Sequence, residues 1–137
     1  MSLKSVLRGE RRAFRLTLLG EGGRLTTGTL DVHLFPVGKN AVSREDPMEL
    51  VGQNLKFCLV IVGANNIPSQ FQRHTFVKLS LLFDQDDRCF TTRTAEDTTA
   101  PRWGLVKQFE LLQLSREVIK HFSTHHLFSF EVFGFST

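Results

Sequence analysis

The chain has 137 residues, enough for one domain that buries roughly two thirds of the surface its unfolded form exposes. At 41% hydrophobic and 23% charged it lacks the composition of a disordered segment, and no apolar run is long enough to span a bilayer. The net charge of +3 permits attraction to phosphates or anionic lipid without requiring it.

The stretch from Leu3 to Leu7 is too short for a signal-peptide core, so a cytoplasmic protein is expected. The first strand is expected over Phe14-Arg15-Leu16-Thr17-Leu18-Leu19, ended by the turn chemistry of Gly20-Glu21-Gly22-Gly23. Leu30-Asp31-Val32-His33-Leu34 alternates as a second strand, closed by Pro36, and residues 38–47 read as a polar loop. Leu55 to Val62 is the strongest strand. Leu55, Phe57, Leu59 and Ile61 share one face, while Cys58, Val60 and Val62 make the other face apolar apart from Lys56. Such a strand is central in its sheet or covered on both faces. Gly63 to Pro68 reads as the loop that follows it.

Phe76 to Phe83 places Val77, Leu79, Leu81 and Phe83 on one face of the next strand. Asp84-Gln85-Asp86-Asp87 is a turn, Cys89 to Thr94 a β-branched strand, and residues 95–104 a polar loop. Phe109 to Leu112 is a short strand. One helix follows from Ser115 to Phe122, N-capped by Ser115, with Glu117 near its positive end. Leu127 to Phe133 is the last strand, with Phe128, Phe130 and Val132 on one face. Seven to eight short strands, one short helix and no βαβ rhythm point to an all-β antiparallel sandwich. Thirteen Phe and no Tyr suit such an interior.

No phosphate loop, no GxGxxG after a strand, no nucleophile elbow and no HExxH occur. No catalytic residue is therefore nominated and no cofactor is implied. His121 and His125 are four apart and share a helix face with His126 nearby, but no third ligand matches them, and a solvated helix end is the simpler reading. Asp84, Asp86 and Asp87 are spaced like part of an EF-hand loop that lacks its glycine and its closing glutamate. Cys58 and Cys89 read as buried free thiols of a reducing compartment. Lys56 and Lys78 lie on consecutive strands. If those strands pair, both lysines join Arg93 in a small basic patch for anionic headgroups or a partner, the competing reading being a solvated sheet face. Ile67 and Phe71 are candidates for loop insertion into a membrane, or for core plugs at a loop base. Nucleic acid is not expected, since no aromatic ladder is interleaved with the basic residues.

The order of several motifs resembles a C2 domain. Gly63-Ala64-Asn65-Asn66-Ile67-Pro68 is similar to the exit into that family's first top loop, and His74-Thr75-Phe76-Val77-Lys78-Leu79 stands where the family has Asp-Pro-Tyr-Val-Lys-Val. Thr99-Ala100-Pro101-Arg102-Trp103 and Phe130-Glu131-Val132-Phe133-Gly134 resemble two later C2 segments. Asp46-Pro47-Met48-Glu49-Leu50-Val51-Gly52 and the strand Gly28 to Pro36 resemble the C2-like region in tails of kinesin-3-type motors. The resemblance covers about residues 23–134 and implies a C2-like domain over 23–137, preceded by an extension over 1–22 whose extra strand, Phe14 to Leu19, is expected in a slot left by missing C-terminal strands, the alternative being a truncated domain. His74, Gly134 and Ser136 replace the carboxylates of calcium-binding members, and Gln70 and Gln72 bring no charge, which implies calcium independence. The resemblance further implies a tail module that attaches a cargo or adaptor protein, or anionic membrane lipid, to a microtubule-binding parent. The alternative is a structural and regulatory module packing on neighbouring motor or tail segments.

Overall fold

In the computed structural model residues 3–19, 25–68, 74–81, 89–125 and 127–134 are described. The elements run α1 (Lys4–Leu7), β1 (Arg12–Leu19), β2 (Leu25–Pro36), β3 (Leu55–Asn65), β4 (His74–Leu81), β5 (Cys89–Thr91), β6 (Ala95–Glu96), β7 (Arg102–Leu111), α2 (Arg116–Thr124) and β8 (Phe128–Phe133). Short 3-10 turns at Gly38–Asn40 and Pro47–Leu50 interrupt the connection between β2 and β3. Asp46 caps the second turn, accepting from the Met48 amide, with Pro47 pre-set at its first position.

Two antiparallel sheets form. The first has the order β1-β2-β3-β7. In the second, β4 is central: Lys78, Leu79 and Ser80 pair with β5 on one edge and with β8 on the other. Strands β5 and β6 continue one edge of β4, because Thr92 still bonds Val77 and Ala95 then pairs Thr75, with the register slipping around Arg93 and Thr94.

The period of two builds the core. Leu30, Val32 and Leu34 from β2, Leu55, Phe57, Leu59 and Ile61 from β3, and Val77, Leu79 and Leu81 from β4 are each at most 2% exposed. Rings join the layers: Phe57 and Phe109 of the first sheet lie 6.3 and 6.0 Å from Phe128 of β8, and Phe109 lies 6.3 Å from Phe90 of β5. The Trp103 indole N–H of β7 donates to the Thr75 carbonyl of β4 at 3.2 Å. Helix α2 crosses one end of the sandwich from β7 to β8, burying Ile119 and Phe122, with Ser115 Oγ accepting from the Val118 amide as its cap. Helix α1 packs beside it with Leu3, Val6 and Leu7 fully buried, and the Leu3 amide donates to the Phe122 carbonyl.

Several local readings change. The one-turn α1 lacks the length that gives a periodic signal. Strand β3 runs through Gly63 to Asn65 where a loop was expected, because Gly63 pairs Arg102 and Asn65 pairs Thr29. The expected polar loop over 95–104 holds β6 and the start of β7, its Gly and Pro notwithstanding. Cys58 is buried as expected, but Cys89 is exposed, since β5 is an edge strand and Cys89 lies opposite Ser80 on its outer side. The turns at 20–23 and 84–87 lie outside the described residues.

Candidate interaction surfaces

The basic patch depends on β3 pairing with β4, and the topology separates them. Lys56 lies opposite Glu110 on the outer face of the first sheet. Lys78 lies opposite Glu131 and Thr91 on the outer face of the second. The two lysines therefore stand on opposite sides of the sandwich. Arg93 is exposed and sits two residues beyond Thr91, on the side of Lys78. Consecutive strands in a sandwich often belong to different layers, and alternation within a strand carries no record of that.

Ile67 is 5% exposed, with its amide bonded to the Thr99 carbonyl, so it is a core plug at a loop base rather than an insertion residue. Phe71 lies outside the described residues, as do Gln70, Gln72 and Ser136.

At the end of α2 the His121 and His125 rings stack with centroids 4.0 Å apart and planes 24° apart. Imidazole lone pairs lie in the ring plane, so near-parallel rings do not converge on one ion. The His125 Nδ1 sits 3.1 Å from the His121 carbonyl and 2.9 Å from the Thr124 hydroxyl, so its neighbours are groups of the helix itself. His126 lies outside the described residues, among which no group of three or more His, Cys, Asp or Glu is placed to hold a metal. An open depression of about 590 Å³ borders this helix, floored by Pro47, Met48 and Ile119 and edged by Lys120 and the two imidazoles. Among the described residues no carboxylate lines it.

The outer face of the first sheet is more organised. Ala13, His33, Val60 and Val106 are register partners in turn, forming one row across β1, β2, β3 and β7. Ala13 is exposed, His33 and Val60 are half-buried, and Val106 is 59% exposed. The next row towards α1 holds Phe35, Cys58 and Gln108, and the Arg11 guanidinium lies 4.2 Å above the Phe35 ring.

On the other side of the row, polar groups link all four strands. Arg15 Nε donates to Asp31 at 2.9 Å, Asn65 Nδ2 donates to Asp31 at 3.0 Å, and Arg102 Nη2 donates to Asn65 Oδ1 at 2.8 Å. Arg102 Nη1 also donates to the carbonyls of Ala64 and Pro101. Hydrogen bonding from Arg15 and then from Asn65 holds the Asp31 carboxyl below its usual range, against an opposing effect of burial. Arg102 reaches Asn65 by crossing β3 over Gly63. A Cβ there would lie 2.4 Å from the Pro101 carbonyl oxygen and 2.7 Å from Arg102 Nη1. Val62 is an extra residue of β3 against β2 and stands opposite both Trp103 and Gly104 of β7, so β3 and β7 are each bulged beside the network.

Sequence reading missed this face because its residues are spread from position 11 to position 110. The alternation of Leu30 to Leu34 and of Leu55 to Ile61 was a usable signal for which side chains point outward, but not for which outward residues meet. Among the described residues no helix is long and apolar enough to cross a membrane. The chain matches no family model and no curated protein.

Proposed function

We propose that this domain is a non-catalytic attachment module: a calcium-independent, C2-like domain in the tail of a kinesin-3-type motor, holding a cargo or adaptor protein. The observation that carries the reading is the outer face of the first sheet, where a row of three apolar side chains and His33 is bordered by charged ones. An apolar centre inside a polar rim is how protein interfaces are built. The fold and the motif order support the C2-like assignment, and the motif order alone supports the motor tail. The module works in the cytoplasm and reaches microtubules and vesicles through its parent.

A protein partner fits better than a lipid surface. A flat bilayer cannot meet Lys56 and Lys78 together, because they stand on opposite faces. In co-sedimentation with neutral, phosphatidylserine and phosphoinositide vesicles, with calcium or chelator, the domain is expected to stay in the supernatant throughout. Chelator-insensitive pelleting with anionic vesicles, lost in Lys56→Glu or Lys78→Glu, would make it a membrane adaptor. Calcium-dependent pelleting would overturn the reading of its loops.

A further inference from the structure

We infer that the row Ala13–His33–Val60–Val106 is the seat of an acidic amphipathic helix of the partner, lying across the four strands. This rests on the attachment-module reading and specifies its face and its ligand. Three features lead to it.

The first is dimension. Neighbouring strands are about 4.8 Å apart, so the row is about 14 Å long. An α-helix rises 1.5 Å per residue, and about ten residues cover that length. Residues three and four apart on a helix are about 5–6 Å apart, close to the strand spacing, so successive apolar side chains meet successive positions of the row.

The second is relief. Ala13 and Val106 close the row with small side chains, and no large aromatic stands in it. A helix can therefore lie close to the sheet. An extended peptide would instead run along a strand edge, where affinity comes from backbone pairing.

The third is charge. Arg11, just before β1, and Arg15 on β1 flank Ala13, while Lys56 on β3 and Arg102 on β7 flank Val60 and Val106 at a distance of four residues. The same face carries the carboxylates Asp31, paired with Arg15, and Glu110, opposite Lys56, so four cations face two carboxylates and an excess of positive charge remains. The rim therefore favours a ligand with carboxylates beside its apolar stripe.

The probe is a 15-residue helical peptide with a Leu/Ala stripe flanked by glutamates, and its counterpart with lysines in their place. Both are titrated into the ¹⁵N-labelled domain. The glutamate peptide is expected to shift the amides of His33, Val60 and Val106, to bind at least tenfold more tightly than the lysine peptide, and to weaken as salt is raised. Val106→Glu and, independently, Lys56→Glu should each weaken it severalfold or more while leaving the circular dichroism unchanged, since both positions are exposed.

Equal binding of the two peptides overturns the proposal, and so do shifts confined to the α2 depression or to the second sheet. If the domain dimerises and Val106→Glu abolishes the dimer, a second copy occupies the face and the helix assignment fails. A protein partner held with the same affinity by Val106→Glu overturns the face and leaves the attachment function standing.

Discussion

The two outer faces of the sandwich use cross-strand pairing to different ends. On the second sheet the opposed residues complement each other two by two. Phe76 stacks on Phe133 at 5.1 Å, Lys78 faces Glu131, and Ser80 faces Ser129. On the first sheet Arg15, Asp31, Asn65 and Arg102 form one network across four strands, and the row beside it holds Ala13, His33, Val60 and Val106, three of them apolar. One face pairs its residues two by two, whereas the other links four strands through a single polar network and leaves a mostly apolar row beside it.

That contrast breaks most sharply at Gly63. Gly63→Ala forces the Pro101 carbonyl and Arg102 away from β3, detaching the network from β7. A loss of about 1–3 kcal/mol is expected in urea unfolding, with altered amide shifts at Asn65 and Arg102. An unchanged midpoint would mean that Arg102 does not depend on the glycine. Next in size is the second face: Phe133→Ala removes a stack whose rings are 19° from parallel and should cost about 0.5–1.5 kcal/mol. Because that face acts in pairs, the loss should leave Asp31 and its partners unperturbed by NMR.

The smallest effect is in acid. The Asp31 carboxyl is held low in the folded protein by Arg15 first and Asn65 second. As pH falls, the unfolded chain takes up that proton first, near the ordinary value of about 3.9. The contribution is therefore complete above that value and is lost as pH drops through the lower folded one. The advantage of the native protein over Asp31→Asn, about 1 kcal/mol or less for so exposed a pair, should be present at pH 7 and vanish in strong acid. A constant difference across that range would show that the carboxylate charge contributes nothing.

What the sequence discloses is local. The alternation of Leu55 to Ile61 identifies a central strand, and the faces of Val77, Leu79 and Leu81 are correct, because burial imposes a period of two on each strand by itself. Ser115 is legible as a cap because its bond spans three residues. The site is not legible in the same way. Asp31 and Asn65 are 34 positions apart, and Asn65 and Arg102 are 37 apart, so only the pairing of strands brings them together. The same gap explains the basic patch. Lys56 and Lys78 were grouped by adjacency in the chain, and the layers set them apart.

The position of β8 bears on how the chain behaves while it is being made. Central strand β4 leaves the ribosome roughly fifty residues before the strand that completes its second edge, for Leu81 pairs with Phe128 and Phe76 with Phe133. At about 5–20 residues per second, that edge waits several seconds with Val77, Leu79 and Leu81 beside it. The first sheet is also unfinished until β7 emerges. The nascent chain thus carries two incomplete layers at once, and the short interval before β8 arrives is when a chaperone has most to protect.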